Sequence, residues 1–355
     1  MIDSKHSIRE ALERIAPPDA SIMQIVQARV DNLTKPPGSL GELERMAVRL
    51  AGIQQNEHPV LDKRAVVVMC GDHGIVEEGV SAFPADVTGM MMGNFARGGA
   101  AINVFSRLMN ADVRVVDIGS KLEELPEGII PAKVKKGTGN MAKGPAMSRE
   151  EALAAIETGI QIAEELADAG YKAIALGDMG IGNTTPSAAI IAAITGTSVP
   201  EITGKGTGID EARRLAKAKT IERCLAVNGL EMGSAACKDG LQVLAKVGGL
   251  EIAGLVGLII GGAANRQAVI VDGVIAGAAA LVAYAMCPEV KGYLFASHLS
   301  QEPAHLAALS YIGIDPVLHL GMRLGEGSGA VLLYPLLDAS LHMLNEMATF
   351  ADIGL

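Results

Sequence analysis

The sequence predicts an α/β protein: a doubly wound, mainly parallel sheet of about six strands with helices on both faces, plus a small helical domain from the chain ends. Three observations carry this. Short β-branched runs recur from residue 64 onward, each ending in a turn that bears Gly or Asp. Helical stretches separate them, and continuous apolar strands alternating with helices indicate parallel pairing buried on both faces. The 355 residues are 49% hydrophobic and 20% charged, enough for a large core and too apolar for a disordered chain.

The first sixty residues read as helices. Apolar positions at helical spacing span 8–15 and 22–33, separated by Pro17-Pro18. The stretch Leu33-Thr34-Lys35-Pro36-Pro37-Gly38-Ser39-Leu40-Gly41 fits neither a helix nor a central strand, because its prolines lack donors. Ser39 is expected to cap a helix over 40–55, with Glu42 completing a capping box. Strands are expected at 65–69, 113–118, 173–176, 268–271 and 293–296, and helices at 149–169, 213–227 and 330–350. The apolar stretch 268–286 is broken by Asp272-Gly273, so it reads as a buried strand and a small-residue helix, not a membrane span. Residues 1–60 with about 330–355 are assigned to the small helical domain and 61–329 to the large α/β domain.

Composition narrows the function. Forty acidic against 30 basic side chains give a net charge of −10, which argues against a nucleic-acid partner. Aromatics are 3% with no Trp, so a base-stacking platform is not expected. Cys70, Cys224, Cys237 and Cys287 form no C-x-x-C pair and suit a reducing compartment; a soluble, cytoplasmic protein is expected. The polar start of the chain does not resemble a signal peptide.

Four Gly-rich turns follow strand-like runs: Cys70-Gly71-Asp72-His73-Gly74, Gly177-Asp178-Met179-Gly180-Ile181-Gly182-Asn183-Thr184, Gly204-Lys205-Gly206-Thr207-Gly208 and Gly325-Glu326-Gly327-Ser328-Gly329. Together they favour a phosphate-bearing ligand, because glycine amides at a helix start can face an anion. In the second turn Thr185 is expected to cap a helix whose first residue is Pro186. No P-loop or dinucleotide fingerprint is present. Glu326 lies between glycines, so no neighbouring side chain covers it. A cleft floor would desolvate it and raise its pKa, as suits a general base. Asp178 and His73 are ambiguous between site and turn. His298, Glu302 and His305 are metal-ligand types in no trusted zinc spacing, which favours a structural hydrogen-bonding role. The Met90-Met91-Met92 run reads as core.

These motifs, with Arg97-Gly98-Gly99-Ala100-Ala101-Ile102-Asn103, Met322-Arg323-Leu324-Gly325-Glu326 and Ala348-Thr349-Phe350, resemble the nicotinate-nucleotide–dimethylbenzimidazole phosphoribosyltransferase family, in order from about residue 30 onward. The resemblance implies transfer of phosphoribose from nicotinate mononucleotide to a lower-ligand base in cobalamin and cobamide assembly, with inversion to an α-ribotide. It also implies a Rossmann-like large domain and a dimer, either homodimeric or paired with a paralogue. On this chain it makes Glu326 the catalytic glutamate, with Asp178 beside it. It assigns the phosphate to Gly180, Gly182, Asn183, Thr184, Gly204, Gly206, Gly208 and Lys217, and the base to Ser81, Met90 and Leu324. The leaving pyridinium departs without an acid, so neither a metal nor a cofactor is expected.

The chain departs from the family pattern at three points. Asp178 stands where glutamate is expected, residues 81–90 lack a polar glutamine, and Ala304 replaces a glycine. These changes leave the incoming base open between benzimidazole and phenol or p-cresol. The alternative reading is a supporting subunit of a heteromer whose paralogue is active.

Overall fold

The structure, a computed structural model, describes residues 7–206 and 208–354. Helices α1 (Ile8–Arg14), α2 (Ala20–Asp31) and α3 (Glu42–Gln54) precede β1 (Arg64–Gly71). Then come α4 (Val87–Ala96), α5 (Ala101–Leu108), β2 (Asp112–Gly119), the short β3 (Ile130–Pro131), α6 (Arg149–Asp168) and β4 (Ala173–Met179). A helical run follows: α7 (Thr184–Thr195), α8 (Val199–Ile202), α9 (Glu211–Val227), α10 (Gly240–Val247) and α11 (Leu250–Ala264). The chain ends with β5 (Ala268–Val271), α12 (Val274–Met286), β6 (Leu294–Ala296), α13 (Ala304–Ile312), α14 (Ser328–Val331) and α15 (Tyr334–Glu346).

The six strands lie in the order β3-β2-β1-β4-β5-β6, and every neighbouring pair is parallel. The chain therefore winds outward from β1 to one edge and resumes at β4 on the other side. The strand order reverses between β1 and β4, and in such sheets ligands bind outside the carboxyl ends at that point. The β-branched runs pack as expected: Ala65 to Cys70 and Ala268 to Val271 are buried on both faces. The 268–286 stretch is β5 followed by α12, and no described helix is long and apolar enough to cross a membrane.

On one face, α6 and α11 cross with their backbones in contact. A Cβ on Gly159 would stand 2.0 Å from the Gly254 carbonyl oxygen, and one on Gly257 would stand 2.0 Å from that of Ile156. Glycine is required at this crossing by lack of space. A second apolar cluster joins the chain ends: Val26, Val30 and Leu33 meet Ala47, Val48 and Ala51 of α3 and Met343 and Leu344 of α15. Helix α1 belongs elsewhere, with Ala11 and Ile15 in the main core.

Three local expectations are corrected. Helix α3 starts at Glu42 with Gly41 at its N-cap and no side-chain cap, so Ser39 does not cap it. The reason is a sharp turn with positive φ at both Gly38 and Gly41, after which Glu44 accepts the Leu40 amide and pairs with Lys35 at 2.8 Å. Helix α7 starts at Thr184 after Asn183, so Thr185 is not its cap and Pro186 falls inside the first turn, where no amide is needed. The segment 330–350 is not one helix: it breaks after α14, and Pro335 opens α15.

Candidate active site

The loops after β1, β4 and β5 converge with the turn before α14. At its centre Gly325, Glu326 and Gly327 all hold left-handed backbone, with φ of 88°, 63° and 86°. Glycine adopts this freely; for a glutamate it is strained, and such strain clusters at functional sites. The Glu326 carbonyl passes close over β4, where a Cβ on Gly177 would stand 2.6 Å from its oxygen. That contact explains the bare glycine in β4. The Glu326 carboxylate is buried and accepts the Ile102 amide of α5 at 3.3 Å. Burial pushes its pKa above the ordinary 4.5, opposed by that amide.

Asp178, at the end of β4, is also buried and accepts a hydrogen bond from Asn183 Nδ2 at 2.8 Å. Its carboxyl is held well above the usual range, first by burial and then by the charge of Asp272, with Glu251 and Glu326 adding to it. Asp178, Asn183, Thr184, Gly206, Leu324 and Gly325 line one cavity of about 260 Å³. It is closed by Phe83, Val274, Ile275, His298, Ser300, Glu302 and Arg323.

A buried lysine stands behind Thr184 and Gly206, two of the residues that line the cavity. Lys217 projects from α9, is 2% exposed and donates to Thr184 Oγ1 at 2.7 Å. A Cβ on Gly206 would stand 3.4 Å from its Nζ, so amine and glycine turn face each other. Burial lowers its pKa to about 8, with Glu302 opposing the shift. The Gly206 amide itself donates to Glu302 Oε1 at 2.8 Å, and its carbonyl accepts from Arg323 at 2.9 Å. Glu302 and Arg323 thus form the wall between this cavity and an outer groove lined by Gly204, Lys205 and Gly208. Thr207 lies outside the described residues.

The other expected positions divide. Gly180 and Gly182 are buried behind the cavity, against His73 and Val76. Between them the Ile181 amide donates to Thr88 and that of Asn183 to the Gly180 carbonyl, so this turn offers the cavity side chains instead of those amides. Ser81 does not line the cavity; its carbonyl accepts from Arg213. Met90 does not enter the cavity; it is 67% exposed on α4, while Met92 is the buried member of the run.

His73 is buried in the turn after β1, with Nε2 2.7 Å from Glu251 Oε1. His305 Nδ1 accepts the Ser300 amide, and burial lowers its pKa to about 3, so it is a neutral structural group. No His, Cys, Asp and Glu cluster suited to a metal occurs among the described residues. Reading along the sequence missed Arg323, Ser300, Glu251 and Asp272 as parts of the site. Arg323 and Ser300 stood within motifs already singled out, and Asp272 was read only as a break in an apolar stretch; Glu251 reaches the region through space.

Fold and site define a doubly wound α/β protein with a strand-end cavity lined by the buried Asp178 and flanked by the buried Glu326 and Lys217. The model of a phosphoribosyltransferase family matches residues 15–355, and the chain belongs to that family. Curated nicotinate-nucleotide–dimethylbenzimidazole phosphoribosyltransferases from Desulforamulus reducens and Geobacter sulfurreducens are each 51% identical over 349 residues. The alignments cover 98% of this chain and 98% and 97% of those proteins. The crystal structure of CobT from Thermus thermophilus superimposes with a TM-score of 0.89 at 43% identity, covering 94% of this chain and 99% of that one.

Proposed function

We propose that the protein moves the 5-phosphoribosyl group from nicotinate mononucleotide to a lower-ligand base, releasing nicotinate and an α-ribotide phosphate for cobalamin or cobamide assembly. Nearly full-length similarity to enzymes of that name supports the reaction. The observation that carries the mechanism is the strained, buried Glu326 next to Gly325, which lines the cavity, together with Lys217 bonded to Thr184, another lining residue. The phosphate pairs with Lys217 and Thr184, which sets the ribose across the strand ends. The base attacks C1′ opposite the pyridinium as the C1′–N bond breaks, and its electron pair leaves with nicotinate. Glu326 takes the proton of the incoming base. Buried carboxylates around the ribose favour the positive charge that develops there.

The acceptor is 5,6-dimethylbenzimidazole or a phenol. Apolar Phe83, Val274, Ile275 and Leu324 suit a flat ring of either kind. The working unit is a homodimer or a pair with a paralogue. Four free, buried cysteines accord with a cytoplasmic setting. Purified protein incubated with nicotinate mononucleotide and dimethylbenzimidazole tests the reading. Nicotinate release is expected; release only after a paralogue is added would make this chain a supporting subunit.

A further inference from the structure

Asp272 sits in the turn between β5 and α12, is 0% exposed and does not line the cavity. Its carboxylate collects three backbone donors from the turn that carries Glu326: Gly327 at 3.2 Å on Oδ2, and Gly329 and Ala330 at 2.8 and 2.9 Å on Oδ1. Burying a carboxylate is costly unless it is hydrogen-bonded, and here the partners are the Gly327 amide and two first-turn amides of α14, which have no partner within the helix. Glu326 sits in that path immediately before the first of these donors. The same turn is closely packed: a Cβ on Gly327 would stand 2.7 Å from Val66 Cγ2, and one on Gly329 would stand 2.0 Å from His298 Nδ1, itself 3.8 Å from Asp272 Oδ1. The turn can move only if the Asp272 contacts open.

We infer that Asp272 is the positioning residue of the reaction: its carboxyl group holds residues 327–330 and so fixes where the Glu326 carboxylate points. This rests on Glu326 acting as the base. Asn at this position offers one oxygen to three donors and turns its own N–H toward another N–H. The turn would loosen while the Lys217–Thr184 contact stays intact.

The test compares wild type, Asp272→Asn and Asp272→Ser by kcat, KM for nicotinate mononucleotide and thermal midpoint. An approximately 100-fold fall in kcat at unchanged KM is expected, since a displacement near 1 Å is enough for that loss. Folded variants with wild-type kcat overturn the inference, as does a rise in KM at unchanged kcat. Should neither variant fold, amide hydrogen exchange of the wild type decides. Slow, concerted exchange of Gly327, Gly329 and Ala330 supports the anchor, and fast exchange removes it. A wild type that releases no nicotinate overturns the proposed reaction instead, and the same exchange measurement still decides the anchor.

Discussion

The Lys217 ammonium donates to the Thr184 hydroxyl at 2.7 Å and makes no ion pair among the described residues. A buried cation with only the Glu302 charge nearby is costly to the protein, and a bound anion would offset that cost. Lys217→Met should therefore weaken nicotinate mononucleotide by about 1.5–3 kcal/mol, the value of a hydrogen bond to a charged group, and leave the free base unaffected. Titration calorimetry with each ligand checks both halves.

The same lysine sets a pH dependence. Its folded pKa is about 8, below the ~10.4 of an unfolded lysine. Folding thus carries its full desolvation cost below pH 8, and the cost fades as pH rises toward the unfolded value. Thermal melts should show Lys217→Met more stable than wild type at pH 7, with the gap closing toward pH 10. Nucleotide affinity should run the other way and fall as pH rises through about 8. Binding above that pH should take up a proton, seen as different calorimetric heats in two buffers of unequal ionisation enthalpy.

Glu326→Gln should keep both substrates bound and slow turnover by roughly 10²–10⁴-fold. The loss should be greater for phenols than for dimethylbenzimidazole. A phenol, with a pKa of about 10 by analogy with tyrosine, must lose its proton to become a nucleophile, whereas an azole attacks through a lone pair already free. Rates with both acceptors decide this; equal fractional losses would assign Glu326 to ribose stabilisation instead of proton removal.

The α6–α11 crossing offers a stability test away from the cleft. Gly257→Ala puts a methyl 2.0 Å from the Ile156 carbonyl oxygen, and neither backbone can yield alone. A loss of about 1–3 kcal/mol in urea unfolding is expected, by overpacking. A control such as Gly144→Ala, where an added methyl meets nothing within 4 Å, should be near neutral.

What the sequence made legible follows from the range of the interactions. Five strands were readable because β-branched runs announce buried parallel strands, whereas Ile130–Pro131 is two residues long and half proline, too short for any pattern. Glu326 was readable because glycines flank it. Asp272 and Glu251 were not, since each lies in an apolar run whose only local message is burial. Their partners sit 55 or more and 178 residues away in the chain. The Ser39 and Thr185 caps failed because a local rule met a stronger tertiary constraint: the buried Lys35–Glu44 pair in one case and the turn at Asn183 in the other.

Glu302 has a consequence for what the empty protein ignores. Its carboxylate rests on the Gly206 amide beside Lys217, so the anion cradle carries its own competitor. Inorganic phosphate must evict that carboxylate with phosphate contacts alone, while a nucleotide adds the grip of its ribose and ring. Glu302→Gln keeps an acceptor for the amide but drops the charge, and phosphate should inhibit that variant more strongly than wild type in the nicotinate-release assay. That outcome would make the glutamate an admission threshold, screening the cleft against the commonest free anion that shares the proposed ligand's head group.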